Sequence, residues 1–244
     1  MRINIKNNKT YSAEEIRRAN DIANPALDKI WAMQWLSDCI HKKDEAKIET
    51  YNEYVSTLTQ TYEVILVVAG REERASIKAV IDLFDTKEGY PEIVFMPLNF
   101  SISDYASVLR RLENKTVALL AVSIIEESLE LRCAYSVAKH FVTSQANKAE
   151  ISPEICVIYS ERSRTIKEDA FENEYTKIEV SHSTDPSYLA NTEPVIFILK
   201  LMGADVEAYI RGFYDCVSAP EWDTNLPLIA YRMIEFENKG IIVE

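Results

Sequence analysis

Residues 63–70, EVILVVAG, begin a series of short apolar segments that decides the fold. Four more segments follow: EIVFMPL at 92–98, TVALLAV at 116–122, EICVIYS at 154–160 and KIEV at 177–180. The chain between successive segments has the apolar spacing of amphipathic helices. Nearly continuous apolar strands that alternate with helices are typical of a parallel sheet covered on both faces. We therefore predict an α/β fold, a doubly wound parallel sheet flanked by helices, in which the first and third segments are adjacent or near-central strands.

Helices are also predicted before this series. Ser12-x-x-Glu15 has the sequence of a capping box at a helix start. From Ile22 to Tyr54, apolar residues recur at helical spacing with charged residues between them. We predict that residues 1–60 form an N-terminal helical segment, packed on one face of a main α/β domain at 61–244.

After Pro194 the pattern becomes helical again. VIFILKLMG ends at Gly203, a residue suited to a helix C-cap, and a second helix is predicted from Asp205. A third helix is predicted over 226–236, and Gly240 precedes a last short strand, IIV. The main domain is thus expected to finish with three helices and one strand.

Composition and charge exclude several classes of function. With 47% hydrophobic and 27% charged residues among 244, the chain has the composition of a folded globular protein. Its formal net charge of -12 repels phosphate backbones and anionic lipid, so neither nucleic acid nor membrane is an expected partner. No apolar run reaches the roughly 18 residues that cross a bilayer, and the first residues lack the apolar core of a signal peptide. We therefore predict a cytoplasmic location.

The cysteines and histidines do not have the spacing of a disulfide framework or a metal site. Cys39, Cys133, Cys156 and Cys216 are far apart and lie within apolar patterns, which indicates reduced, buried thiols. None of the three histidines has a second histidine or an acid at metal-ligand or triad spacing. We predict no metal and no cofactor.

Two turns that follow predicted strands carry a resemblance to a known family. In open α/β sheets the ligand site lies at the carboxyl ends of the strands, where these turns are placed. Residues 67–84, VVAGREERASIKAVIDLF, look like the strand, Gly-Ile-Gly-Gly-Ser turn and helix of the phosphoglucose isomerase family. Residues 121–141, AVSIIEESLELRCAYSVAKHF, are similar to its strand, Ser-Lys-Ser-Gly-Thr-Thr-x-Glu turn and helix. Segments 186–216 and 224–244 resemble the family's Gly-Gly-Arg-Tyr-Ser region and Glu-Asn-Pro-Ala helix, in the same order.

The resemblance implies a sugar-isomerase (SIS) domain and an origin in the enzymes of glycolysis and gluconeogenesis. It covers residues 63–244, which correspond to the first of the family's two such domains. The family's catalytic glutamate, histidine and lysine belong to the other half. Isomerase activity in this chain alone is therefore not expected.

The turn at 123–130 has lost most of the family's phosphate-binding groups. Ser123, Ser128 and Glu130 match the family pattern, whereas its Lys, Ser, Gly and Thr are replaced by Ile124, Ile125, Glu126 and Glu127. The family anchors phosphate with hydroxyl groups and backbone N–H groups at a helix N-terminus. One interpretation is that Glu126 and Glu127 block this anion site, with Ser123 and Glu126 closing the helix end as a capping box. The other is that both acids are simply favourable first-turn residues, and either one discourages an anionic ligand.

The glycine turn is altered in a similar way. Gly70 is kept, but Arg71 and Glu72 place long side chains where the family's backbone approaches its ligand. Arg71 and Arg74 could bind an anion or form salt bridges with nearby acids, namely Glu72, Glu73, Glu126 or Glu127. In the third segment, Ser187 takes the place of the family's arginine and Tyr188 follows it.

These motifs define the candidate site and three hypotheses. The resemblance implies substrate contacts at Gly70, Arg71, Ser123, Ser128, Ser187 and Tyr188. If the chain is a divergent enzyme, its candidate acid–base groups are the carboxylates of Glu126, Glu127 and Glu130. The first hypothesis is a non-catalytic module that binds a small carbohydrate derivative or other metabolite. The second is a divergent isomerase or lyase that uses the carboxylates, and the third is one half of a split isomerase completed by another chain. A homodimer is also predicted, because the apolar surface that the family's second domain covers needs another partner.

Overall fold

The structure, a computed structural model, describes residues 12–31, 45–125, 127–180, 185 and 189–218. The chain divides into two compact units, one formed by residues 1–41 with 213–244 and one by residues 42–212. The sheet and the crevice described below belong to the second unit. The predicted helix at 226–236 and the predicted last strand lie outside the described residues, as do Glu126, Ser187 and Tyr188. The domain boundary at residue 60 stays a prediction.

The described part of the chain contains eight helices and five strands. The helices are α1 (Ala13–Trp31), α2 (Glu45–Thr61), α3 (Arg71–Ile81), α4 (Ile102–Leu112), α5 (Leu129–Lys148), α6 (Thr165–Glu172), α7 (Glu193–Leu201) and α8 (Val206–Ser218). The strands are β1 (Val64–Ala69), β2 (Glu92–Phe95), β3 (Val117–Ser123), β4 (Ile155–Tyr159) and β5 (Thr176–Glu179). They form one parallel sheet in the order β2-β1-β3-β4-β5. The predicted α/β fold is confirmed, and β1 and β3 are neighbours as expected.

The strands are apolar throughout because helices cover both faces of the sheet. Every residue of β1 and β3 is buried. On one face Ile65 and Leu120 pack in a cluster with α2, α3 and α7, and on the other Leu66 and Leu119 pack with α4, α5 and α6. Successive side chains of a strand point to opposite faces, so a strand buried on both sides has a continuous apolar sequence.

Of the helices that precede the sheet, α2 packs on one of its faces. Leu58 is buried in the cluster on that face, and the ring of Tyr54 stacks on Phe197 of α7 with centroids 6.0 Å apart. The Tyr54 hydroxyl also donates to Glu154 Oε1, just before β4, at 2.6 Å. These contacts tie α2 to both α7 and the sheet.

Helix boundaries follow local sequence signals. The predicted capping box at the start of α1 is present: Ser12 Oγ accepts from Glu15 N at 3.2 Å, and Glu15 Oε2 accepts from Ser12 N at 2.9 Å. Gly203, after α7, has a φ of +76°, and a Cβ there would lie 2.8 Å from the ring of Tyr90. Both its conformation and the space around it require glycine.

The order of the strands creates a crevice between β1 and β3. The two strands are adjacent, but the chain continues from β1 into α3 on one face and from β3 into α5 on the other. At such a switch point the following helices diverge and leave a gap at the carboxyl ends of the strands. The two family-like turns meet at this gap.

Candidate functional site

A cleft of about 330 Å³ opens at the carboxyl ends of β1 and β3, and we call it the crevice. Its volume is in the range of small-molecule sites. The described residues that line it are Gly70, Arg71, Glu72, Leu98, Ile125, Ser128, Glu130 and Leu131. The structure therefore brings together Gly70, Arg71, Ser128 and Glu130 from the residues predicted for the site.

Gly70 lies between β1 and α3. A side chain at this position is disfavoured by the buried carboxyl of Glu73, and not by the backbone conformation of Gly70 itself. Its φ of -58° is available to any residue. A Cβ at this position would lie 2.2 Å from Glu73 Oε2. The absence of a side chain at Gly70 thus gives the Glu73 carboxyl its space.

Glu73, near the start of α3, is indicated by the sequence only as a possible salt-bridge partner of Arg71 or Arg74. The side chain is buried, its Oε1 accepts from Ile124 N at 3.3 Å, and its Oε2 has no hydrogen-bond partner in the described structure. Burial raises the pKa of Glu73, and backbone N–H donors only partly oppose this shift. The carboxyl joins the first turn of α3 to the turn after β3. An acid on the buried stripe of α3, with Ile77 and Ile81, is the sequence signal that points to it.

Glu127 does not line the described crevice. Its carboxylate lies at the N-terminus of α6, where Arg164 N, Thr165 N and Ile166 N donate to it at 3.0, 2.9 and 3.0 Å. Ser163 Oγ donates to the same carboxylate at 2.9 Å. Partial burial raises the pKa of Glu127, but the hydrogen bonds outweigh burial and the pKa is lowered overall. Glu127 is therefore an internal anion that caps α6.

Two predictions about the turn at 123–130 are wrong. Glu127 is not in the first turn of its own helix, because α5 begins only at Leu129. Ser123 is not a helix cap, because the N-cap is Ser128, whose Oγ accepts from Leu131 N at 3.1 Å. The strand continues further than the local S-x-x-E pattern indicates, and the helix starts correspondingly later.

Ser123 is the buried last residue of β3. Its hydroxyl donates to Glu127 Oε1 at 3.2 Å and lies 2.8 Å from Ser163 Oγ. This hydroxyl is committed to the cap of α6, and Ser123 is not part of the crevice lining.

Glu130 supplies a carboxylate to the crevice. Hydrogen bonds from its own backbone N–H and from Ser128 lower the pKa of Glu130, and the positive charge of Arg71 contributes in the same direction. Glu130 is consequently ionised at neutral pH. It can accept hydrogen bonds from a ligand, but it is a poor proton donor.

The two arginines of the glycine turn have different roles. Arg74 Nη1 donates to Met96 O at 3.1 Å, and its guanidinium lies 5.5 Å from the centre of the Phe95 ring. Arg71 lines the crevice and forms no ion pair with the acids that the structure describes. Arg74 thus anchors α3 beside β2, whereas Arg71 is the cation of the described crevice lining.

The thiols and acids of the described part do not assemble a metal site. Cys156 is a buried free thiol whose pKa is raised by burial, as expected of an unreactive core cysteine, whereas Cys133 is only half-buried. Among the helices that the structure describes, none has the length and apolar content needed to cross a membrane.

Comparison with known proteins gives matches in structure but not in sequence. No family model and no curated protein matches the chain. A hypothetical protein from Thermus thermophilus has a TM-score of 0.70 at 13% identity, over 91% of this chain and 54% of that one. A tagatose-6-phosphate ketose/aldose isomerase from Escherichia coli has a TM-score of 0.51 at 13% identity, over 91% of this chain and 54% of that one.

These likenesses concern the fold. The chain spans about half the length of both proteins, and 13% identity is too low to carry an activity across. The matches do not single out phosphoglucose isomerase, the family that the sequence resembles. The chain therefore has a parallel α/β fold that it shares with these two solved structures.

Proposed function

We propose that this chain is a sugar-isomerase-like protein that binds a carbohydrate derivative or similar small metabolite in the crevice and does not isomerise sugar phosphates. The crevice carries the proposal, because it lies where parallel α/β folds bind their ligands and combines polar with apolar lining. The likeness in fold to a tagatose-6-phosphate isomerase supports a sugar-related ligand.

The hydroxyl groups that would anchor a phosphate are used inside the protein. Ser123 donates to Glu127, and the Ser128 side chain hydrogen-bonds the Glu130 carboxylate, which contributes to the lowered pKa of Glu130. A phosphate ester would therefore meet carboxylates in the crevice where the family offers it free hydroxyl groups. This arrangement favours an uncharged or cationic ligand.

The described carboxylates are poorly placed for the second hypothesis, a divergent acid–base enzyme. Glu127 is held at the N-terminus of α6, and Glu130, with its lowered pKa, is a weak base. Glu73 is buried next to Gly70 and is not part of the described crevice lining. A binding role is thus favoured over proton transfer.

Thermal unfolding in the presence of sugars tests the proposal. A ligand at about 100 times its Kd adds about 2.7 kcal/mol to the free energy of unfolding, which raises the Tm of a domain of this size by roughly 5–10 °C. We expect such a rise with at least one of glucose, glucosamine and N-acetylglucosamine, and its loss in an Arg71→Ala/Glu130→Ala double variant. Glu168→Ala, an exposed change on α6, is the matched control.

Two results would contradict the proposal. If none of the sugars raises the Tm of the wild-type chain, the crevice is not a sugar site. If the chain alone converts glucose 6-phosphate in a coupled assay well above background, the proposal that it lacks isomerase activity is wrong.

A further inference from the structure

The described lining of the crevice has an excess of negative charge. Glu72 and Glu130 contribute carboxylates, and Arg71 is the cation that opposes them. Hydrogen bonds lower the pKa of Glu130 and keep it ionised. The formal charge of -12 on the whole chain adds to the same field. The crevice therefore attracts a cation and repels a dianion.

The two helix N-termini at the crevice do not reverse this preference. A helix N-terminus attracts anions through its free N–H groups and its dipole. In α5, Ser128 Oγ accepts from Leu131 N at 3.1 Å, and Glu130 lies in the first turn, where its charge offsets the dipole. In α3, Glu72 lies in the first turn, where its charge offsets the dipole. Acidic side chains of the protein thus offset the positive end of the helix dipole at the N-termini of both α5 and α3.

Part of the crevice lining is apolar. Leu98, Ile125 and Leu131 contribute this part, alongside the charged groups of the two turns. A sugar ring has C–H faces that can pack on apolar side chains and a polar edge that forms hydrogen bonds. Carboxylates form particularly strong hydrogen bonds with ammonium groups. A sugar ring with one ammonium group would match both parts of the lining.

We infer that the crevice binds an amino sugar in its ammonium form, with Glu130 and Glu72 as the partners of the ammonium group. This ligand class rests on the proposed function and narrows it. The selectivity is opposite to that of a sugar-phosphate site, since a phosphate ester brings negative charge to carboxylates.

Isothermal titration calorimetry on the full chain at about pH 6, where a primary amine of this kind is protonated, tests the ligand class. Glucosamine carries the ammonium group, glucose lacks it, glucose 6-phosphate carries negative charge, and ethanolamine carries an ammonium group without the ring. We expect glucosamine to bind at least about tenfold more tightly than each of the other three. Glu130→Gln should weaken glucosamine binding by about tenfold or more, whereas Glu168→Gln, outside the crevice, should leave it unchanged.

Each other outcome is decisive. Equal or tighter binding of glucose or glucose 6-phosphate would overturn the ammonium preference and leave the crevice a sugar site. Equal binding of ethanolamine would show that charge alone is recognised and would overturn the amino-sugar class. Absence of binding by all four probes would overturn this inference together with the proposed function. If Glu130→Gln does not fold, Glu72→Gln takes its place with the same expected loss.

Discussion

Glu73 is a buried acid that joins two turns of the crevice region. Its carboxyl accepts a hydrogen bond from Ile124 N and fills the space that a side chain at position 70 would need. A buried carboxyl without a paired cation favours its neutral form, because desolvation penalises the charge. Ionisation of Glu73 therefore destabilises the folded state.

The stability of the protein is expected to depend on pH through Glu73. Because the pKa of Glu73 is raised in the folded state, the folded protein keeps a proton that the unfolded chain loses near its ordinary pKa of 4.5. This contribution to stability is complete below that pH and is lost as the pH rises through the folded-state pKa. Glu73→Gln cannot ionise, so we expect its free energy of unfolding, relative to wild type, to increase between about pH 4 and pH 8.

Urea unfolding of wild type and Glu73→Gln across this range measures the difference. Glu88→Gln removes an exposed carboxylate and serves as the control, with an expected profile parallel to that of wild type. A difference between Glu73→Gln and wild type that stays constant with pH would mean that Glu73 titrates normally.

Among the secondary-structure elements, α6 depends on a carboxylate from a distant turn. It has only eight residues, and Arg164 at its N-cap position provides no side-chain hydrogen bond. Glu127 takes over this role by accepting from three consecutive backbone N–H groups. Since short helices gain little from propensity alone, caps and packing decide whether they form.

Removal of this cap is expected to destabilise the protein. Glu127→Ala deletes several charge-assisted hydrogen bonds, and we expect it to lower the free energy of unfolding by about 2–3 kcal/mol. Glu168→Ala also removes a carboxylate from the first turn of α6, but an exposed one, and should cost less than about 0.5 kcal/mol. Because the pKa of Glu127 is lowered, its contribution is present at neutral pH and should be lost as the pH falls. Urea unfolding compares the variants, and equal losses for both would rule out a special role for Glu127.

The sequence predicts the strands more completely than the turns between strands and helices. Continuous apolar runs identify β1, β3 and β4, because burial on both faces leaves little freedom in their composition. The turn after β3 is different, since its S-x-x-E pattern and Ser128 both suit a helix start. The choice depends on how far β3 pairs with β4, and that pairing extends to Ser123. The role of Glu127 depends on a helix whose N–H groups come from residues 37 to 39 positions later, which no local pattern indicates.

At the scale of the molecule, three large apolar side chains are exposed near the start of the helices that follow β2 and β3. Phe100, just before α4, is 58% exposed, Ile102 at its start is 83% exposed, and Leu129 at the start of α5 is 55% exposed. Large apolar side chains exposed at one edge are typical of an interaction surface. This chain spans about half the length of the two solved structures that it matches.

We expect a second copy of the chain to cover this edge, so that the protein is a homodimer. A symmetric contact between identical surfaces is the simplest way to bury them. Analytical ultracentrifugation at micromolar concentration should then give twice the 27.9 kDa mass of one chain. Ile102→Glu would place a charge in the contact and should shift the protein toward monomer, whereas Ile151→Glu, an exposed apolar position before β4 at the opposite edge, should not. A mass near 27.9 kDa that does not change with concentration would refute the dimer, and a monomeric Ile151→Glu variant would refute the proposed contact.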